Sequence, residues 1–158
     1  AIRFAENTIR STGRKTMGVR GISMSFDDDF VVGMLVVKRD GSILAATDKG
    51  YGKRTDVEAY RTQNRGGKGV YTIKCNDKIG KLVTIMEVVD TDDIMIITDQ
   101  GIMIRQPVES INVIGRNTQG VRLLKLDDGA KISTITKVLK DDENDDDSNS
   151  ESGEPSEE

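Results

Sequence analysis

The sequence has no histidine and no tryptophan, and only one cysteine and two prolines among its 158 residues. Without histidine, the commonest general base and metal ligand are missing, and Ser-His and Cys-His nucleophile pairs are excluded. Cys75 stands alone, so no intramolecular disulfide or cysteine-cluster metal site can form, and a reducing compartment fits. At the end of an expected strand, it reads as a small packing residue and not as a nucleophile. No apolar run is long enough to span a bilayer, and the first residues show no secretory pattern, so a cytoplasmic protein without membrane attachment is expected. The phosphate loop Gly-x4-Gly-Lys-Ser/Thr is absent, because the two glycines Gly13 and Gly18 are followed by Val19 and Arg20. The acidic stretch 141–158 does not fit a calcium loop: the required glycine and glutamate positions fall on Asp146 and Ser152, or on Asp147 and Gly153. Neither catalysis nor a bound metal or cofactor is expected within this chain.

What the chain does have is glycine and a period. Arg14, Arg65 and Arg116 stand 51 residues apart, as do Gly18, Gly69 and Gly120, and Val19, Val70 and Val121. Arg3, Arg54 and Arg105 share that spacing, and Ile43, Thr47, Asp48 and Gly50 fall on Ile94, Thr98, Asp99 and Gly101. Self-similarity at about 50 residues marks a repeat architecture, with propeller-like blades as the leading candidate. Ala1 aligns with Gly52, so the chain is expected to begin inside a repeat and to be a piece of a longer protein. The expected units are an incomplete repeat at about 1–42, then 43–93 and 94–140, followed by a disordered acidic tail at 141–158. That tail has no Val, Ile, Leu or aromatic residue with which to offset ordering entropy.

Within each unit the pattern predicts about four short antiparallel strands, hence an all-β fold. With three Phe and three Tyr, the core must be built from Val, Ile, Leu and Met. Alternation of Val19, Ile22 and Met24 predicts a half-buried strand over 18–25. The run FVVGMLVV at 30–37 predicts a strand buried on both faces, joined by an Asp40-Gly41 hairpin to a strand over 42–47. Further strands are predicted over 51–55, 69–74, 81–89, 93–98, 101–106, 121–126 and 131–139. Turns are predicted at 27–29, 47–50 and 98–101.

Charge is segregated. The ten acids of 141–158 leave 17 acids against all 23 bases in residues 1–140, a body of +6 behind an overall charge of −4. That asymmetry suggests a polyanion-binding surface with a competing acidic tail attached. The most concentrated cation loop is Gln63, Asn64, Arg65, Gly66, Gly67, Lys68 and Gly69. Related loops carry Arg14 with Lys15, and Arg116. Lys53 with Arg54, and Arg105, form a second recurring set. One such loop reads as a solvated turn. Three at a fixed spacing on a basic body read as phosphate contacts, with Arg14, Lys15, Lys53, Arg54, Arg65, Lys68, Arg105 and Arg116 on the path. A periodic rim suits a bent duplex read without sequence specificity, and the shortage of aromatics argues against single-strand stacking. The competing reading is a propeller-like protein-interaction scaffold with incidental basic loops.

Several motifs together resemble the C-terminal domain of bacterial DNA gyrase A. They are Ala1-Ile2-Arg3-Phe4, Gly18-Val19-Arg20-Gly21, Gly50-Tyr51-Gly52-Lys53-Arg54-Thr55, Ile97-Thr98-Asp99 and Ile114-Gly115-Arg116-Asn117-Thr118-Gln119-Gly120-Val121. The resemblance covers residues 1–140 and implies a β-pinwheel whose basic perimeter wraps double-stranded DNA, here as its last three blades. It implies as partners the rest of the gyrase A polypeptide and gyrase B, in a nucleoid-associated holoenzyme that uses ATP and Mg to introduce negative supercoils. It also implies that the active-site tyrosine and the ATPase lie outside this chain. The family's seven-residue box belongs to the first blade. The loop at 63–69 matches it except at Asn64 but stands at a later blade's position, so it reads as a degenerate copy. The related C-terminal domain of topoisomerase IV is the near alternative.

Overall fold

A computed structural model describes residues 1–138, and the expected acidic tail lies outside the described residues. The described chain is all-β apart from three single 3-10 turns. Its strands are β1 (Ser42–Thr47), β2 (Tyr51–Asp56), β3 (Leu82–Val88), β4 (Asp93–Thr98), β5 (Met103–Pro107), β6 (Val121–Arg122) and β7 (Ile132–Val138). The two sheets have strand orders β3-β1-β2-β6 and β5-β4-β7, and every strand pairing is antiparallel. In the four-stranded sheet, three strands come from the middle repeat and β6 comes from the next one. A blade is therefore shared between repeats.

The 51-residue period is visible in individual contacts. The 3-10 turns Glu6–Thr8, Val57–Ala59 and Val108–Ser110 recur at that interval. The tight turns close in the same way, Gly50 N–H to Thr47 O at 3.2 Å and Gly101 N–H to Thr98 O at 3.1 Å, with both glycines at positive φ. Asp48 Oδ1 accepts the Lys81 N–H at 2.8 Å, and Asp99 Oδ1 accepts the Lys131 N–H at 2.9 Å. Each turn aspartate thus fixes the start of the strand that flanks its hairpin.

All six residues of β1 are buried, so it faces a core on each side. Leu44 and Ala46 pack with Val88, Ile94, Ile96, Val108, Ile111, Ile132 and Ile135 between the two sheets. Ile43 packs on the opposite side with Val57 and Tyr60, where Leu35, Val70 and Ile85 lie against them. Alternation along one short strand therefore feeds two cores.

The structure corrects several expectations. The segment 30–37 is not a strand and is largely exposed, with Phe30 at 73% and Met34 at 88%. At the matching repeat positions β3 pairs with β1 and β7 pairs with β4, whereas no strand among the described residues pairs with 30–37. An apolar run cannot form a strand without a ladder to join, and only Leu35 finds a core. Asp40-Gly41 is accordingly a crossing between units and not a hairpin. Arg39 secures it with bonds to Asp92 at 2.7 and 3.1 Å and to the Glu87 main chain at 3.2 Å. Segments 18–25 and 69–74 are not strands, the second bending at Thr72 and Ile73, and 121–126 is reduced to β6. Cys75 is exposed and does not serve as a packing residue.

Two glycines explain why those segments hold their places. Ala1 and Val70 exchange hydrogen bonds of 2.7 Å, as Gly52 pairs with Val121 one period later. Immediately before each partner, Gly69 has φ +79 and Gly120 has φ +81. A Cβ there would stand 2.2 Å from Ala1 O and 2.6 Å from Gly52 O, respectively. The periodic glycine is thus required by close backbone approach as well as by φ.

Leu44→Ala should cost about 2–5 kcal/mol in denaturant unfolding, the usual range for a fully buried leucine. Met34→Ala should stay within about 0.5 kcal/mol. Gly120→Ala should destabilise by more than about 1 kcal/mol, since alanine meets both a left-handed φ and a backbone clash. Gly115→Ala, with open space around its Cβ position, should be near neutral. Equal effects of the two glycine substitutions would contradict the close-approach argument.

Candidate nucleic-acid interface

The three basic loops follow one another along the chain, and each later loop is stitched to the segment that leaves the one before it. Gly66 N–H donates to Gly21 O at 2.8 Å, and Ser23 N–H donates to Gly67 O at 2.9 Å. Lys74 N–H donates to Thr118 O at 2.9 Å, one period after the Ser23 bond. The arginines repeat the stitch with their side chains. Arg65 Nη1 donates to Arg20 O at 2.7 Å and Arg116 Nη1 donates to Tyr71 O at 3.0 Å, each reaching 45 residues back. Arg116 also lies over the Tyr60 ring, 5.9 Å from its centroid.

The eight cations expected on a phosphate path divide into distinct groups. Arg14, Lys15 and Lys68 are exposed and make no ion pair among the described residues. Arg65 and Arg116 are half-buried, each spending one nitrogen on the stitch. Arg105 lies apart on β5, tied to Asp93 by Nε at 2.8 Å and Nη2 at 2.7 Å. Lys53 and Arg54 do not reach the surface, at 0% and 6% exposure. Arg54 Nε donates to Ile111 O at 2.7 Å, and its Nη1 pairs with Asp90. Arg3 repeats this role with bonds to Val57 O at 2.9 Å and Tyr60 O at 3.2 Å. Lys53 Nζ donates to Gly115 O at 2.7 Å, to Arg116 O, to Thr118 Oγ1 at 3.0 Å and to Thr118 O at 3.3 Å. Lys53 and Arg54 thus hold the fold together and lie off any exposed phosphate path, whereas Arg105 stays at the surface.

In the box-like loop, Gln63 and Arg65 are half-buried, whereas Asn64, Gly67 and Lys68 are exposed. Gly66 and Gly69 adopt positive φ. Gln63 Nε2 and Arg65 Nε are buried donors without an acceptor in the protein. What the loop exposes is the Lys68 charge beside Asn64 and Gly67, which suits an oxyanion.

Sequence reasoning missed four exposed cations in the segments that leave the loops: Arg20, Lys74, Arg122 and Lys125. Lys74 and Lys125 are one period apart, and Arg20 and Arg122 share the repeat position of Tyr71. The same alignment, continued past each periodic glycine, carries that signal. Arg122 lies over Tyr51 at 5.6 Å and donates to its hydroxyl at 3.1 Å. The other three are in no ion pair among the described residues. Loops and following segments together form a row of solvated cations along successive repeats. Among the described residues no cluster of three His, Cys, Asp or Glu could hold a metal, and no helix is long and apolar enough to cross a membrane.

The sequence and the fold are similar to those of known proteins. The chain is similar to the DNA gyrase A polypeptide of Staphylococcus epidermidis, at 45% identity over 145 residues, and to that of Escherichia coli K12, at 42% over 139 residues. These alignments cover 90% and 88% of the chain but only 16% of either relative. Among solved structures, a DNA gyrase A C-terminal domain superposes with a TM-score of 0.76 at 25% identity, covering 86% of this chain and 46% of that one. The C-terminal domain of DNA topoisomerase IV shares the fold, with a TM-score of 0.77 at 22% identity over 85% of this chain and 42% of its own. The family model described as "DNA gyrase C-terminal domain, beta-propeller" matches residues 1–38, 41–88 and 92–138, and by that match the chain belongs to this family.

Proposed function

We propose that the chain binds and wraps double-stranded DNA without sequence preference, as part of the C-terminal domain of a DNA gyrase A polypeptide. The observation that carries this reading is the row of solvated cations Arg14, Lys15, Arg20, Lys68, Lys74 and Lys125, which recurs along successive repeats and has no ion-pair partner among the described residues. Solvated lysines and arginines neutralise phosphates at little desolvation cost, and a row that follows a repeat array favours a bent duplex over a straight one. Arg65 and Arg116 belong to the same surface, each with part of its guanidinium still available. In the holoenzyme, strand passage and ATP and Mg chemistry would fall to the rest of gyrase A and to gyrase B, in the cytoplasm at the nucleoid. This chain would contribute the wrap that makes supercoiling directional.

The combined substitution Lys68→Ala, Lys74→Ala and Lys125→Ala should weaken binding to duplexes of different sequence by the same factor. It should also flatten the slope of log affinity against log salt by about 2–3, near 0.9 per lost phosphate contact. An unchanged slope would remove these residues from the interface. If the acids of 141–158 compete for the same surface, deleting them should tighten duplex binding at low salt, with the gain fading as salt screens it. Equal affinity with and without them would dismiss the competition.

A further inference from the structure

Lys53 points away from solvent, yet the loop above it depends on that side chain. In the neighbouring repeats the same position holds Ile2 and Ile104. Beneath the loop at 63–69, Ile2 is an apolar support, since a Cβ at Gly67 would stand 3.6 Å from Ile2 Cδ1. That loop turns over Arg65 and Gly66, with Gly66 at φ +83. The loop at 13–18 closes instead with a main-chain bond, Thr16 N–H to Gly13 O at 3.2 Å. The loop at 115–120 uses neither device. Asn117 replaces the turn glycine and keeps a negative φ, and residues 116–118 bend without the closing main-chain bond. Its carbonyls converge on Lys53 Nζ, with Gly115 O at 2.7 Å, Arg116 O beside it and Thr118 O at 3.3 Å. Thr118 Oγ1 joins them at 3.0 Å and donates to Gly115 O at 2.9 Å. An ammonium has three donors, and all can be used in this cage.

We propose that Lys53 is a positioning residue of the third basic loop: its buried ammonium replaces the missing turn hydrogen bond and places a fixed positive charge beneath the phosphate-contact surface, so that phosphate binding there is coupled to the proton on Lys53. The coupling rests on the DNA-binding reading, whereas the support of the loop does not.

Burial, and secondarily the Arg116 charge, bring the Lys53 ammonium down to about 8. A phosphate arriving at Arg116 favours the charged form and raises that value, so the complex holds the proton more tightly than the free chain does. Duplex affinity therefore falls as pH rises through about 8. Folding responds with the opposite sign. The unfolded chain holds the lysine proton to higher pH, so stability grows between about 8 and the ordinary lysine range. Loss of the Lys53 proton thus does not itself weaken the fold in that window. Arg116 is the charged group facing Lys53 from the loop. Tyr60 lies beneath Arg116 with its phenol pushed up by burial, and β1 presents Ala45 in register. The Ala1 amine is also lowered, by burial and then by Arg116, and must be removed from the comparison. N-terminal acetylation does so and leaves an N–H for Val70 O.

The experiment compares the N-acetylated 158-residue chain, its Lys53→Met variant and the triple variant Lys53→Ile, Asn117→Gly, Thr118→Gly, which copies the apolar support and turn glycines of the second loop. Amide exchange at Lys74, whose N–H is held by Thr118 O, reads loop order, and affinity for a mixed-sequence duplex is followed from about pH 7 to about pH 9. Lys53→Met should speed Lys74 exchange about fivefold or more. It should also weaken binding and flatten the pH profile, which in the unsubstituted chain falls by up to about tenfold per pH unit, the limit for one linked proton. The triple variant should regain protection at Lys74 while its binding stays flat with pH. Unchanged Lys74 exchange in Lys53→Met, or a pH profile that survives it, overturns the proposal. Should the unsubstituted chain fail to bind duplex at any pH, the DNA-binding reading and the proton coupling fall together. Loss of Lys74 protection in Lys53→Met and its return in the triple variant then still support the positioning role, and constant protection overturns it.

Discussion

The third repeat gives a strand to the sheet of the second, the second makes the same backbone contact toward the first, and the rest of the structure depends on that exchange. β6 completes β2 across the boundary, and the Ala1 to Val70 pair is the same contact one period earlier. The exchange requires backbones to meet at hydrogen-bonding distance just after each basic loop, which is why Gly69 and Gly120 tolerate no side chain. It also fixes where the loops stand. A loop that ends in a donated strand lies at the joint between units, so a repeating sequence becomes a repeating surface.

Two kinds of cation result from this geometry. Arg54, on the strand that receives β6, and Arg3, one period earlier, turn inward and satisfy carbonyls at the ends of the 3-10 turns, Ile111 O and Tyr60 O, which would otherwise be left buried. Lys53 does the same for the third loop. The cations on either side of the joint, at Lys68, Lys74 and Lys125, face water. Burying a charge is tolerable only when it is hydrogen-bonded or paired, and the inner set meets that condition with main-chain oxygens and, at Arg3 and Arg54, with the Glu58 and Asp90 carboxylates. The outer set keeps its hydration until a counter-charge arrives. The positive charge of the body is therefore divided between cohesion and a solvated outer surface.

Much of this is legible in the residues. The 51-residue register finds the hairpins, the turns at Gly50 and Gly101, and strands β1, β4 and β7 to within a residue or two, because those features depend on local turn chemistry and alternation. The segment 30–37 misleads because its apolar content specifies a partner and does not supply one. Lys53 and Arg54 mislead because periodicity reports equivalent positions without saying which way a side chain points. On β2, burial of both faces leaves these residues only inward directions. Lys74 and Lys125 obey the period but lie beyond the glycine that ends each loop, outside the motif that draws the eye to the cations.

The central claim is that the solvated row, and not the buried set, meets the nucleic acid. Lysine acetylation footprinting of the whole chain, with and without a duplex in excess, tests it directly. The account predicts protection of Lys15, Lys68, Lys74 and Lys125 when DNA is bound, with Lys53 unreactive in both states. If those four lysines acetylate at the same rate with and without the duplex while it is bound, the interface lies elsewhere on the molecule.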